Sequence, residues 1–132
     1  MAGERGTANS VAATALVMMI AVTLLVYVAQ ADLYIVGDNE AAAWGLPFDS
    51  NWVNDKNFKV GDMLEFIFDP RANDVMEVSM SDYSICQATP GKNVWKGEPA
   101  IVNLTTAETH YFISSNYGNC TNGLKTAVTT SN

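Results

Sequence analysis

Hydrophobic and polar residues alternate with a period of two along most of the chain after residue 32. Such alternation is typical of β-strands with one buried face, and turn residues separate the alternating runs at short intervals. The predicted strands cover residues 33–36, 63–68, 75–78, 100–104, 109–113 and 124–128, with a further strand end and turn at 58–62. The pattern therefore predicts a small antiparallel β-sandwich or barrel.

Two segments lack the alternation and are predicted to be helical or irregular, namely residues 49–56 and 81–86. Ser81 is placed to cap the second segment, because a serine hydroxyl accepts hydrogen bonds from the first backbone N–H groups of a helix. Between the last two predicted strands lies a loop of small polar residues around Cys120. The shape of this loop suits a binding site, but its serines and asparagines are poor ligands for soft metals.

The first 31 residues are predicted to be a signal peptide. A short polar start precedes an uncharged apolar run at residues 11–29, and Ala29-Gln30-Ala31 has the small residues that signal peptidase accepts. Cleavage there would make Asp32 the first residue of a mature domain, 32–132. The alternative is an uncleaved membrane anchor, since an apolar run of this length just spans a bilayer.

The charge balance excludes several classes of partner. The chain has 7 Lys and Arg residues against 14 Asp and Glu residues, which gives a net charge of −7 at pH 7. Nucleic acids and anionic membrane surfaces require clusters of basic residues, so we expect neither as a partner. The length suits one domain, and we expect a monomer.

The two cysteines, Cys86 and Cys120, predict one disulfide in an exported chain. A reactive or metal-binding thiol is the alternative, and it would need a free cysteine in a reducing compartment. Two glycosylation sequons fit the same export, one at Asn103 and one at Asn119. We expect a glycan at Asn103 and little or none at Asn119, because the disulfide would hold the middle residue of the second sequon.

Other candidate groups give weaker signals. His110 is the only histidine, and it could act as a lone ligand or as a base for Ser114. Four residues of strand would separate the two by about 13 Å, which favours a structural histidine at the sheet surface or rim. Three acidic residues near the polar loop suggest weak Ca²⁺ binding, but they lack the spacing of a calcium loop; they are Asp69, Asp74 and Glu77.

The three tryptophans are candidates either for the core or for stacking on sugars. We expect Trp44 and Trp52 to pack as core or loop anchors. Trp95 lies in the polar stretch GKNVWKGE between two lysines, and we expect it to be the exposed one.

An ordered set of short motifs runs through residues 33–128: Val36-Gly37-Asp38, Trp44, Trp52, Phe58-Lys59-Val60-Gly61-Asp62, Leu64-x-Phe66, Val75-x-x-Val78, Tyr83-x-x-Cys86, Tyr111-Phe112-Ile113 and Gly118-x-Cys120-x-x-Gly123-x-Lys125. With these motifs the chain resembles the phytocyanins, the plant blue-copper-type proteins. The chain is most similar to the plantacyanin (basic blue) branch or to early nodulin-like proteins. The lack of a Pro/Ser-rich tail resembles the plantacyanin branch, although the acidic charge departs from that branch. The resemblance implies an all-β, cupredoxin-like Greek-key sandwich of about seven or eight strands. It also implies one or two short helical turns and a Cys86–Cys120 disulfide.

The same resemblance places the family's copper ligands on four residues that cannot replace them: Asn73, Ser114, Asn119 and Leu124. A blue-copper site needs a thiolate, two imidazoles and a weak axial group. The numbers of histidines and cysteines also argue against such a site, because the chain has one histidine and no cysteine beyond the predicted disulfide pair. We therefore expect no copper and no other cofactor.

These observations predict a secreted, copper-free, phytocyanin-like protein without enzymatic activity. We expect it to act as an extracellular binding or structural module in the cell wall or at the cell surface, with a glycan or a protein as partner. Its expected location is the apoplast, or the outer face of the plasma membrane if the N-terminal segment is retained. The alternative function is a blue-copper-type electron carrier, as the fold of the family suggests.

Overall fold

The computed structural model describes residues 31–41, 44–89, 93–97 and 99–132. Apart from Ala31, the predicted signal peptide lies outside the described residues, and its cleavage stays a prediction. Within the described ranges, no helix combines the length and the apolar character needed to cross a bilayer. Residues 32–132 form one compact unit.

Seven strands are present in the described residues: β1 (Leu33–Ile35), β2 (Met63–Phe66), β3 (Val75–Val78), β4 (Val94–Trp95), β5 (Ala100–Asn103), β6 (Thr109–Ile113) and β7 (Lys125–Thr129). The helical segments are a 3₁₀ helix (Ser50–Val53), α1 (Met80–Ile85) and α2 (Tyr117–Thr121). The alternation of the sequence located the strands to within a few residues, except for β4. That strand has only two residues, too few for an alternating pattern to show.

The strands form two sheets, one with the order β1-β2-β5 and the other with the order β4-β3-β6-β7. The pairs within the second sheet are antiparallel, as predicted. In the first sheet β1 runs parallel to β2, so the prediction of a purely antiparallel arrangement was wrong for this pair. The long connection through residues 36–62 gives the chain enough length to cross over before β2 begins, which a parallel pair requires.

The core lies between the two sheets. Phe66 of β2 and Phe112 of β6 are fully buried, and their ring centroids are 5.2 Å apart. Trp44 and Trp52 belong to the same core, as predicted, and each indole N–H has a partner: the carbonyl of Asp74 for Trp44 and the hydroxyl of Thr126 for Trp52, both at 2.9 Å. Satisfied indole donors allow large aromatic rings to be buried without an unpaired polar group.

The helical segments differ from the sequence predictions at two places, the cap of α1 and the presence of α2. Helix α1 is capped by Ser79, whose hydroxyl accepts from the backbone N–H of Asp82 at 3.2 Å, so the assignment of the cap to Ser81 was wrong. Ser79 follows β3 directly and keeps an extended backbone, as a cap residue must. Helix α2 lies in the stretch predicted to be a loop. Its N-cap is Asn116, whose side chain accepts from the backbone N–H of Asn119.

Candidate functional site

Three of the four residues aligned with copper ligands come together in one hydrogen-bonded cluster. The side-chain carbonyl of Asn73 accepts from the Asn119 amide at 2.7 Å and from the Ser114 hydroxyl at 3.1 Å. The Asn119 amide also donates to the carbonyl of Ala72 at 3.4 Å. We call Asn73, Ser114 and Asn119 the polar clasp, because they join two loops that are distant in sequence.

Different elements position the members of the polar clasp. Asn73 ends a tight turn after β2, in which its backbone N–H donates to the carbonyl of Asp69 at 3.0 Å. Ser114 follows the last residue of β6 and is 1% exposed. Asn119 lies in α2, where the Asn116 side chain caps the helix by accepting from the backbone N–H of Asn119.

Leu124, the fourth aligned residue, completes the site through its backbone. It lies directly before β7 and its side chain is fully buried. Its carbonyl accepts from the backbone N–H of Ser114 at 3.2 Å, and its own N–H donates to the carbonyl of Asn119 at 3.0 Å. The sequence alignment thus selected four residues that are neighbours in the fold.

A second contact joins the same two loops. The carboxylate of Asp74 accepts from the backbone N–H of Ser115 at 2.8 Å and from the Ser115 hydroxyl. The sequence gives no sign of this pair, because no local pattern links two residues separated by 41 positions. Together with the polar clasp, it closes the loops over the end of the sandwich with hydrogen bonds.

The donor set of the polar clasp does not fit copper. A blue-copper site needs a soft thiolate and two imidazole nitrogens, whereas this cluster has two carboxamides and one hydroxyl. The amide nitrogen of Asn119 donates to Asn73 and offers no lone pair to a metal, because that lone pair is delocalised into the carbonyl group. The Ser114 hydroxyl and the Asn73 carbonyl already satisfy each other.

The cysteines and the histidine are engaged elsewhere. Cys86 and Cys120 form the predicted disulfide, with their Cα atoms 5.8 Å apart, and this confirms the pairing. His110 is only 7% exposed, so its placement at the sheet surface or rim was wrong. Its Nε2 lies 3.1 Å from the carbonyl of Thr106, and its Nδ1 lies 3.7 Å from the carboxylate of Glu77.

The acidic residues near the site have separate partners. Asp69 pairs with Arg71 at 3.0 Å, Asp74 holds Ser115, and Glu77 faces His110. Hydrogen bonds from the Arg71 side chain are the largest cause of the lowered pKa of Asp69. Among the described residues, no group of three or more His, Cys, Asp and Glu side chains is arranged to hold a metal ion.

An open depression of about 310 Å³ lies beside the polar clasp. Its polar lining consists of Arg71, Asn73, Asp74, Lys96, Ser115 and Asn116. Two of these residues, Arg71 and Lys96, carry a positive charge, although the chain as a whole has a net charge of −7. The depression therefore combines amide, hydroxyl and charged groups at the surface directly outside the closed cluster.

The tryptophans do not supply a sugar-stacking platform at this depression. Trp44 and Trp52 are buried in the core. Trp95 is the least buried of the three, as predicted, but it is half-buried on β4 and packs against the main hydrophobic cluster, so it is less exposed than expected. Its place in a strand paired with β3 explains the difference, because the polar neighbours in sequence gave no sign of that pairing.

The asparagine side chains of the two sequons differ in their exposure and in their hydrogen bonds. Asn103 ends β5 with an exposed side chain, and Thr105 is exposed as well, while the intervening Leu104 is buried. Asn119 has its amide nitrogen bonded to Asn73. The backbone around Asn119 is also held by helix α2 and by the disulfide at the next residue.

We therefore predict high glycan occupancy at Asn103 and little or none at Asn119 in protein secreted from plant cells. Site-resolved glycopeptide mass spectrometry measures both occupancies in one sample. Thr105→Ala should remove the glycan and Thr105→Ser should retain it, which makes the two variants a matched pair. Predominant occupancy at Asn119 would contradict the prediction.

Comparisons with known proteins agree with this architecture. The family of the plastocyanin-like domain matches residues 44–124. Chemocyanin from Lilium longiflorum is 37% identical over 118 residues, which is 87% of this chain and 90% of the relative. Basic blue protein from Arabidopsis thaliana is 32% identical over 132 residues and covers 98% of both chains.

Among solved structures, cucumber stellacyanin superposes with a TM-score of 0.68 at 32% identity, over 78% of this chain and 99% of the other. Cucumber basic protein, a blue copper protein, superposes with a TM-score of 0.65 at 29% identity, over 75% of this chain and 99% of the other. These likenesses confirm the predicted cupredoxin-like fold. The chain belongs to the phytocyanin family.

Proposed function

We propose that this phytocyanin is a secreted, copper-free binding module of the plant extracellular space. The observation that carries the proposal is the polar clasp, in which hydrogen-bonding groups occupy three positions aligned with copper ligands and bond to one another. Such a cluster stabilises the loops at this end of the sandwich. The loops in turn present the polar depression to solvent.

The chemistry of the depression favours a glycan as the ligand. Amide and hydroxyl side chains can donate and accept hydrogen bonds with sugar hydroxyl groups, and Asn73, Ser115 and Asn116 line the surface with such groups. Lys96 and Arg71 add positive charge, which would favour a sugar that bears a carboxylate. A protein partner is the second class that the same lining allows.

The arrangement offers no catalytic pair. Ser114 is bonded to Asn73 and not to a base. The single histidine lies four residues away along β6 and contacts Thr106 and Glu77. A serine nucleophile needs a base within hydrogen-bond reach, so the proposed role is binding and not catalysis.

Electron transfer is the alternative function. It rests on the fold and on relatives whose names identify them as blue copper proteins, among them a protein of Pisum sativum that is 32% identical over 116 residues. The donor atoms of the polar clasp do not support it. A visible spectrum of the purified protein with Cu(II) separates the two functions, since a blue-copper site has an intense charge-transfer band and the proposed module has none.

The proposed location is extracellular, in the apoplast. The disulfide supports export, because such bonds persist in oxidising compartments. The predicted signal peptide and the sequon at Asn103 point to the same compartment. Retention of the N-terminal segment would instead place the protein at the outer face of the plasma membrane.

A glycan array probed with the secreted protein tests the binding role. We expect retention on a subset of plant cell-wall glycans, with stronger retention on those that carry carboxylates. Lys96→Ala should weaken retention by about tenfold, since a hydrogen bond to a charged group contributes roughly 1.5–3 kcal/mol. Lys59→Ala is the matched control, because this exposed lysine contacts Ser131 and does not line the depression.

Two results would contradict the proposal. In the first, no glycan or extracellular protein of the plant is retained by the natural sequence. In the second, the Lys59 and Lys96 variants lose retention equally, which would assign it to overall charge and not to the depression.

A further inference from the structure

A buried carboxylate lies at the start of the domain. Asp62 is 1% exposed and precedes β2 in a turn that includes Gly61. One of its oxygens, Oδ2, accepts from the backbone N–H of Lys59 at 2.7 Å. The other, Oδ1, accepts from the backbone N–H of Asp32 at 2.9 Å.

Asp32 is held in this position from the other side as well. Its carbonyl accepts from the backbone N–H of Met63 at 2.8 Å, and the next residue, Leu33, begins β1 beside Met63. The nitrogen of Asp32 is therefore fixed by the sheet at hydrogen-bond distance from Asp62.

Asp62 has no charged partner among the described residues. The ion pairs found there involve Lys56, Arg71 and His110. A carboxylate that accepts from two neutral N–H groups gains a stronger, charge-assisted hydrogen bond when one of these donors becomes a cation. A cation at the nitrogen of Asp32 would supply the missing charge.

We propose that cleavage between Ala31 and Asp32 creates this cation, and that the new α-ammonium group of Asp32 forms a partly buried ion pair with the carboxylate of Asp62. The proposal rests on the predicted signal peptide. Signal peptidase hydrolyses the peptide bond with one water molecule: the carbonyl carbon of Ala31 takes the oxygen and becomes a carboxylate. The nitrogen of Asp32 takes protons and becomes an ammonium group. The position of that nitrogen and its distance from Asp62 stay as they are here.

Processing thus stabilises the domain, and it does so only when the first residue is Asp32. A chain that begins one residue earlier has a neutral amide at this position, as in the uncleaved protein. The charge-assisted hydrogen bond is stronger than the neutral one. The carboxylate of Asp62 therefore binds the α-ammonium group of the mature N-terminus.

The pH dependence has a definite sign. The ion pair raises the pKa of the α-amino group above its unfolded value of about 7.7–8.0. Its stabilisation is fully present below the unfolded pKa and is lost as the pH rises through the folded pKa. The stability of the mature protein should therefore fall through the mildly alkaline range.

Other titratable groups near the pair are the carboxyl group of Asp32, the phenol of Tyr34, and Lys56 and Lys59. Burial, followed by the charges of Asp62 and Asp32, raises the pKa of Tyr34 above its usual value of about 10. Burial alone would lower the pKa of Lys56, but its hydrogen bonds to Asp38 and Asp55 raise it. Both shifts therefore move the pKa values of Tyr34 and Lys56 away from the unfolded pKa of the α-amino group, about 7.7–8.0.

A double-mutant cycle tests the pair. Protein secreted from plant cells is first checked by intact mass for a start at Asp32, and it is then compared with a chain that carries one extra alanine before Asp32. Each of these two chains is made once with Asp62 and once with the substitution Asp62→Asn. We expect the extra alanine to lower the denaturant midpoint when Asp62 is present. We expect no further effect of the alanine in the Asp62→Asn background.

If the Asp62→Asn variant does not fold, a second measurement tests the proposal on chains that retain Asp62. The midpoint of the natural mature protein should fall as the pH rises through the α-amino pKa, while the midpoint of the extended chain should stay level over the same range. Mature protein that starts elsewhere than Asp32 overturns the proposal. So do equal midpoints for the two chains, or parallel pH profiles.

Discussion

The triple variant Asn73→His, Ser114→Cys, Asn119→His should bind Cu(II) with an intense visible charge-transfer band that the natural protein lacks. The three side chains already meet in the polar clasp, with donor–acceptor distances of 2.7 and 3.1 Å. Their replacement supplies the thiolate and both imidazoles that a blue-copper site requires. Leu124 can remain, because the axial ligand is weak and mainly tunes the potential.

We expect the affinity of this engineered site to be modest. Residues around natural metal ligands orient them through hydrogen bonds, and here the surrounding groups bond to amides and a hydroxyl. Asn116, for example, donates its backbone N–H to the Ser114 oxygen at 3.3 Å. The same N–H group could orient a thiolate at residue 114. We therefore expect the introduced cysteine to be better oriented than the two introduced histidines.

The control is the double variant Asn73→His, Asn119→His, which offers both imidazoles without the thiolate and should bind copper without the intense band. Disulfide mapping is needed in parallel, because a cysteine at residue 114 could compete for Cys120 during folding. A colourless triple variant with the Cys86–Cys120 bond intact would contradict the assignment of these positions. A natural protein that turns blue would contradict the copper-free function.

Removal of the disulfide should have the largest effect on stability. The bond links cysteines 34 positions apart and joins the end of α1 to α2, which carries Asn119. Loss of a cross-link of this span lowers the free energy of unfolding by about 3–4 kcal/mol in the chain-entropy model. For a domain of this size the corresponding fall in Tm is at least about 12 °C.

Cys86→Ser with Cys120→Ser also places hydroxyl groups in an apolar cluster that contains Val78, Met76 and Ile113. The matched variant Cys86→Ala with Cys120→Ala removes the cross-link but keeps the cluster apolar. Calorimetry of both variants separates the two contributions, and the alanine pair should be the more stable one. Two free thiols in the natural secreted protein, detected by mass spectrometry without reduction, would contradict the prediction.

The strand pattern and the disulfide were predictable because they depend on local or compositional signals. Alternation shows directly which residues of a strand face the core, as in β2, where Leu64 and Phe66 are buried and Met63 and Glu65 are partly exposed. Two cysteines in an exported chain leave a single pairing. The four aligned positions at the polar loop were predictable for a different reason, since a family resemblance carries spatial information that local patterns lack.

Several of the wrong predictions concern contacts with segments that are distant in sequence, such as Glu77 for His110 and β3 for Trp95. The burial of His110 depends on Thr106 and Glu77, and the burial of Trp95 depends on the pairing of β4 with β3. Helix α2 contains glycine, asparagine and threonine, which form helices poorly. It is held by its Asn116 cap and by the disulfide at Cys120.

Residue types alone decided that this phytocyanin cannot assemble the ligand set of blue copper, because one histidine and two disulfide-bonded cysteines do not provide two imidazoles and a thiolate. The arrangement of side chains at the aligned positions depended on the tertiary structure. Only the packing of the turn after β2 against α2 brings the Asn73 carbonyl to the Asn119 amide. Hydrogen bonds act over about 3 Å, so two residues 46 positions apart in sequence become partners only when the folded sandwich places them side by side.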